Sequence, residues 1–411
     1  MSYYKLHDST HSIGTNDLVQ EGLSDMAKIM EIIARETNGK SYNTEKYSYD
    51  TIGIPSFDYD DDSTKVMKWQ FSAETQHHKK PVDLTSLAKQ LQGTTPIISY
   101  FLDGSRHTYK VDDIAYNKQV YPVIAGQVGI GCCHRVDGVM HNEKFYRRLV
   151  LSLPKECNAD GWRDEAFFAA KTKKLNESPE LKKLNIEFSA ILPYSMPKDV
   201  RKGKAEDSGI ACIQDYMIES EKEMVAALAK AGHLNQDNYL LKDGSLEYKP
   251  MKTGREDFRL LQKIKHNYRW VIGVSKSFNP ESIFDHTGKP NANYIAELPA
   301  FHRTPVALYE NNKYLGDVQF AVWYIRLRDK RKTRTPFDGV IKVEKILMDE
   351  EIGIGIDSEE IDMISASLIN ERIPTCYGTD RRWANHLYPV FLTESFVKSK
   401  YMSTEMFLHL F

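Results

Sequence analysis

Two apolar segments of this chain end in the same tripeptide. IISYFLDGS occupies 97–105 and YLLKDGSL occupies 239–246. Each reads as a buried strand leaving its sheet through Asp-Gly-Ser, because short apolar runs bounded by turn residues favour strands. Glycine then lets the backbone turn sharply. An aspartate at the exit of a central strand is held rigidly and points into the crevice beyond the sheet. Asp103 and Asp243 are therefore expected side by side on neighbouring strands. Two such carboxylates can hold hard divalent cations. A pair of ions about 3.5–4 Å apart suits phosphodiester hydrolysis. Asp-Gly is also ordinary turn chemistry, so the pattern alone admits two plain turns as well.

The rest of the pattern is mixed α/β. Apolar residues recur at helical spacing over 16–37, and a short helix is expected at 82–92, with a loop at 38–66 carrying Asp58, Asp60, Asp61 and Asp62 between them. β-rich segments follow at 106–114, 119–136 and 145–154, with Gly126, Gly129 and Gly131 suggesting bulges or bends. The spacing predicts a charged helix at 161–184, a strand at 185–193, a long helix at 205–231 and another helix at 254–265. Strands are expected at 269–278, 300–310, 318–329 and 339–347, and helices at 357–370 and about 391–401. No internal repeat or low-complexity stretch appears. This reads as an N-terminal extension over 1–95 on one catalytic domain over 96–411.

Composition bounds the function. The 411 residues carry 41% hydrophobic and 27% charged side chains and a formal net charge of −2. That is a globular balance without a global positive field, so any contact with nucleic acid must come from local basic patches. No apolar run approaches the roughly 20 residues that span a bilayer, and the first residues show no signal-peptide core. Five cysteines without a Cys-x-x-Cys pair fit a reducing cytoplasm better than a disulfide framework or a zinc site. The glycines at 126–131 and 353–355 lack the Lys-Ser/Thr of a phosphate loop, which argues against an ATPase.

Three further features could carry chemistry. Lys276 ends the strand containing IGVSK, where its ammonium could neutralise charge on a scissile phosphate. The 205–231 helix holds Glu219, Glu221 and Glu223 and runs into the second Asp-Gly-Ser strand, so one of them could reach a metal. RLRDKRKTR at 326–334 supplies Arg326, Arg328, Lys330, Arg331, Lys332 and Arg334, a plausible phosphate-tracking patch. The histidines are scattered and none pairs at zinc spacing.

In order, the chain contains Asp-Gly-Ser after a first apolar strand (Asp103), a glutamate-bearing helix, Asp-Gly-Ser-Leu (Asp243 to Leu246) and Gly-Val-Ser-Lys (Lys276). Trp-Tyr-Ile-Arg-Leu (323–327) and a late Tyr388-Pro389 follow. From about residue 96 onward this order resembles the NurA nuclease domain. The resemblance implies an RNase H-like mixed sheet flanked by helices, here with an N-terminal helical extension. It implies a deoxyribonuclease that uses Mn²⁺ or Mg²⁺, with two ions per active site, acts as a homodimer and docks on a HerA-type hexameric ATPase. It places Asp103 and Asp243 as metal ligands and Lys276 in the catalytic set. Its spacing favours Glu223 as the helix ligand, with Glu219 as runner-up. One departure stands out: the family usually has a histidine in the helix after Tyr-Pro, where this chain has Phe396, with Glu394 or His386 as substitutes. The extra length over 1–95 and 140–205 points to a specialised branch, such as a bacterial anti-phage defence nuclease. Two other readings remain: a different RNase H-like nuclease, and a catalytically weak or inactive DNA-binding or assembly subunit of the same fold.

Overall fold

The computed structural model describes residues 29–41, 46–49, 67–68, 72–158, 161, 163–196, 204–246, 265–285, 287, 289–310, 318–333, 335–374 and 383–411. The acidic run at 58–62, most of the helix expected at 254–265, and Arg334 lie outside them.

Three long antiparallel strands dominate: β1 (Ile98–Tyr116), β2 (Gln119–Val136) and β3 (Val139–Pro154). Shorter strands complete the sheet: β4 (Phe188–Tyr194), β5 (Tyr239–Asp243), β6 (Val271–Ser275), β7 (Gln319–Arg326) and β8 (Val340–Ile346). Among the described residues the order is β7-β8-β6-β5-β1-β2-β3-β4, within a sheet of 13 strands. β1, β5 and β6 run parallel to one another, while β6–β8, β7–β8, β1–β2 and β2–β3 are antiparallel. A mixed α/β sheet flanked by helices is thus what the sequence led us to expect.

Helices cover both faces. Along β1, Tyr100 and Leu102 pack beneath the helix α3 (Ala205–Lys230) with Ile213, Met224 and Leu228. The intervening Phe101 faces the other way, with Leu241 and Ile272, against α4 (Ser358–Asn370) and α5 (Tyr388–Lys398). This alternation is the period-2 pleat of a sheet buried on both sides. A third cluster continues the second face, joining Tyr109, Val123 and Leu151 to Ile32 of α1 (Ile29–Glu36) and Phe167 of α2 (Asp164–Asn176). Helix α5 starts with Pro389 in its first turn, where a missing N–H costs nothing.

Three local expectations need correction. Gly104 does not end a strand, because β1 runs on to Tyr116. Gly126, Gly129 and Gly131 likewise sit inside β2 rather than at bends; the register shifts fall at Lys110/Asp112 and Cys132/Cys133. The physical reason is close helix approach. A Cβ at Gly126 would lie 2.9 Å from Ile213 of α3, and one at Gly131 would lie 2.5 Å from Val397 of α5. The helix expected over 161–184 is also two helices, broken at Ser178-Pro179, where Ser178 caps the second.

Short pieces of the described chain before 96 join the sheet. Lys40–Ser41 and Tyr47–Ser48 pair with β1, and Val82–Asp83 pairs with His302–Arg303. Glu74 is fully buried and accepts from Arg303 at 2.8 Å, while the same guanidinium reaches Asp362 at 2.5 Å. Among the described residues no helix is long and apolar enough to cross a membrane.

Candidate active site

The two aspartates meet because β1 and β5 are parallel neighbours, with Leu102 opposite Lys242. Asp103 and Asp243 come next on their strands, on the face beneath α5. On the other side of β5, Asp243 lies opposite Val274 of β6. Lys276, two residues beyond Val274, projects to that same face. Only the second Asp-Gly-Ser behaves as a strand exit: Gly244 has φ +88°, in the left-handed region that suits glycine, and its N–H returns to the Val274 carbonyl at 2.8 Å. Glu344 fixes that turn, accepting from Ser245 Oγ at 2.8 Å and the Leu246 N–H at 2.7 Å.

Lys276 is the hub. Its Nζ lies 2.8 Å from Asp243 Oδ2 and 3.3 Å from Glu394 Oε2 of α5. Its backbone is pinned by Asn385, which donates to the Lys276 carbonyl and to that of Val340, each at 2.7 Å. Burial opposes the charge of Lys276, but Asp243, Glu394 and Asp103 outweigh it and hold the ammonium above its ordinary value. Burial also opposes ionisation of Glu394, yet Lys276 and Lys398 pull its carboxyl down to about 2.

Asp103 is the exception. It is 5% exposed, and its Oδ2 is buried without a hydrogen-bond partner. Burial, reinforced by the charge of Asp243, pushes its carboxyl well above the usual carboxylate range against the opposing pull of Lys276. The sheet edge explains how other groups approach. β5 ends at Asp243 while β1 continues, so beyond Leu102 the edge of β1 loses β5 as its neighbour.

Of the three helix glutamates, the structure brings Glu221 to this place, not Glu223. Glu221 is buried and fills the space over Gly104, where a Cβ would come within 2.2 Å of its Oε1. Lys242 donates to the Asp243 carbonyl at 2.8 Å and lies 3.1 Å from Glu221 Oε2. Burial raises the Glu221 carboxyl despite that lysine. Glu223 instead pairs at 2.6 Å with Arg148 on the solvent side, with 58% of its side chain exposed. Glu219 pairs with Lys222. Helical geometry makes the choice: residues four apart share a face, so Glu219 and Glu223 point away when Glu221 points in. The buried stripe Ile213, Met217, Ser220, Glu221, Met224, Leu228 was the available signal. Family spacing alone missed it. Phe396 stands beside Gly131, and His386 is buried near Phe391, with ring centroids 6.3 Å apart.

The basic segment behaves differently from the phosphate-tracking patch that was expected. Arg326 is fully buried and donates to the carbonyls of Ile295, Ala296, Pro336 and Asp338 at 2.8–3.2 Å. Arg328 donates to the carbonyls of Ala384 and Ile373 and lies over the Trp383 ring. Both are structural because carbonyls of neighbouring loops need donors. Lys330 pairs with Glu297 at 2.5 Å, Arg331 pairs with Asp329 at 2.6 Å, and Lys332 stands exposed beside them. Among the described residues, no three His, Cys, Asp or Glu side chains form a ready-made metal-binding set.

No protein-family profile matches the chain. No curated protein matches it either. Among solved structures, the NurA nuclease from Sulfolobus solfataricus is similar at a TM-score of 0.38 and 12% identity, covering 73% of this chain and 78% of that one.

Proposed function

We propose that the chain is a divalent-metal-dependent deoxyribonuclease whose reacting centre is the Asp103–Asp243–Lys276–Glu394 cluster. One observation carries this: a buried, unpartnered carboxylate oxygen on Asp103 beside a second aspartate. Buried carboxylates are costly unless paired or bound to a cation. The donor set consists of carboxylate oxygens, which fits Mn²⁺ or Mg²⁺ and not a thiolate-seeking metal. Asp103 and Asp243 would hold the metal, with Glu394 and Glu221 as the nearest further carboxylates. The bound ion would supply Lewis acidity and lower the pKa of water. Lys276, fixed by Asn385, would shift from Asp243 towards the scissile phosphate and neutralise charge developing there. The order of the sequence motifs also supports a homodimer working with a HerA-type ATPase; light scattering and co-purification with such an ATPase test those two parts.

The primary test is cleavage of linear DNA with Mn²⁺, Mg²⁺ or chelator, using the wild type, Asp103→Asn and Asp243→Asn. The reading requires cation-dependent cleavage that both substitutions abolish. Cleavage that persists in chelator or in either variant defeats it. A weak or inactive binding subunit is the second reading, favoured by one observation: Lys276 and Lys242 already occupy cationic positions at Asp243 and Glu221. Manganese titration separates the two, since a subunit of that kind would bind no ion that Asp103→Asn weakens.

A further inference from the structure

The helix position where the resemblance expects histidine carries an aromatic ring, and the structure surrounds that ring with other groups suited to one ligand. Asp103 lies opposite Gly131 on β2, and Gly131 lies opposite Phe145 on β3. Gly131 offers no side chain. Val397 of α5 fills the space directly above it, and the Phe396 ring comes alongside, 3.6 Å from where a Cβ would sit. The Phe145 and Phe396 rings meet edge to face, with centroids 5.5 Å apart. Among the described residues neither ring belongs to the three apolar cores, and each is half-buried. Lys400 lies 5.1 Å from the Phe396 centroid, and exposed Arg147 follows Phe145 on the same face of β3. Among the described residues, β4 joins β3 only from Leu149 onward, so no strand covers the 139–148 edge.

We propose that Phe396 and Phe145 form a stacking platform for bases of a single-stranded DNA segment beside Asp103, with Lys400 and Arg147 on its phosphates. This rests on the nuclease reading for the identity of the substrate. The charge of the two cations complements a phosphodiester backbone, and aromatic rings between cations are the usual means of holding single strands without reading sequence. Phe145 lies two strands from Asp103, roughly 10 Å at about 4.8 Å per strand, a span of about one to two nucleotides of extended single strand. The basic segment at 326–334 is then not the principal path, because Arg326 and Arg328 serve the fold.

The test is equilibrium binding, in chelator, of a twelve-residue oligothymidylate and of an abasic strand of equal length. Phe396→Leu and Phe145→Leu keep apolar bulk but remove the ring. Each should weaken the oligothymidylate by about 5- to 150-fold, the range of losing one stacked base. The loss on the abasic strand should be at least fivefold smaller, and Phe396→Trp should restore binding. Lys400→Gln should weaken both strands equally. Wild-type affinity in both leucine variants, equal losses on the two strands, or no oligothymidylate binding by the wild type would each overturn the platform. Because binding is read without cleavage, a wild type that shows the base-dependent loss yet cuts nothing with Mn²⁺ refutes the nuclease reading and leaves the platform standing.

Discussion

Asp103→Asn should abolish cleavage and at the same time stabilise the metal-free protein at alkaline pH. The carboxyl of Asp103 is raised by burial and by Asp243, and its Oδ2 has no partner. A carboxyl raised on folding binds its proton more tightly in the folded state. Its contribution is therefore most favourable below the unfolded value of about 4 and is lost as pH climbs through the folded value. Asparagine has nearly the same shape and no proton to release, so it escapes that loss. An unsatisfied buried polar group costs about 1–3 kcal/mol, which sets the expected gain near pH 8. Unfolding entropy of about 2 cal/mol/K per residue means that a chain of 411 residues shifts by about 1 °C per kcal/mol.

The assay is thermal melting from pH 5 to pH 8.5 in chelator, then with manganese. In chelator the variant should melt about 1–3 °C above wild type at pH 8, with the gap closing towards pH 5. Manganese should invert the order, since an ion at a hundred times its Kd adds about 2.7 kcal/mol to the protein that binds it. If the variant melts below wild type across the alkaline range in chelator, or the gap ignores pH, the buried charge at Asp103 is already satisfied and the argument fails.

Four other substitutions separate structural from functional roles. Glu74→Ala should destabilise by about 3–5 kcal/mol in urea melts, because Arg303 would keep a buried and under-paired charge. Glu221→Gln should depress cleavage, while Glu223→Gln should leave it near wild type and alter stability by no more than about 0.5 kcal/mol; the opposite ranking would return the role of the helix glutamate to Glu223. Arg326→Ala should lose about 3 kcal/mol or more of stability by stranding four carbonyls, and a folded variant with only weaker DNA binding would restore Arg326 to the DNA path.

What the sequence revealed and what it hid divide along physical lines. Strands β5, β6, β7 and β8 were legible because each is a short apolar run closed by turn residues, and α3 because its apolar stripe repeats over seven turns. The continuity of β1 and β2 was not, because glycine has one spelling for two uses. At Gly244 it supplies a left-handed turn, whereas at Gly104 and Gly131 it makes room for Glu221 and α5. Only the packed helix distinguishes these. The pairing of Asp103 with Asp243 follows from parallel register, which the repeated tripeptide hinted at. The place of Glu394 depends on how α5 crosses β1, a long-range contact that no local pattern encodes. Arg326 misled for a related reason: a run of basic residues looks solvated until loops fold back and present their carbonyls to it.

The charges around Lys276 explain why the pieces belong together. On the face beneath α5, Asp103, Asp243 and Glu394 confront Lys276, while the partly exposed Lys398 reaches Glu394 from outside at 2.6 Å. Lys276 satisfies one oxygen of Asp243 and one of Glu394 and leaves Oδ2 of Asp103 alone. The interior is therefore short of one positive charge. A proton on Asp103 can make up that shortfall at low pH, and a divalent cation can make it up at higher pH, so proton release and metal uptake should be linked at this carboxylate. On the opposite face, Lys242 balances Glu221 one for one, which leaves that carboxylate neutralised until the lysine moves. The charges thus divide unevenly between the faces: the α5 face holds the unpartnered carboxylate oxygen of Asp103, and the balanced Glu221–Lys242 pair lies on the other face beside the same strand edge.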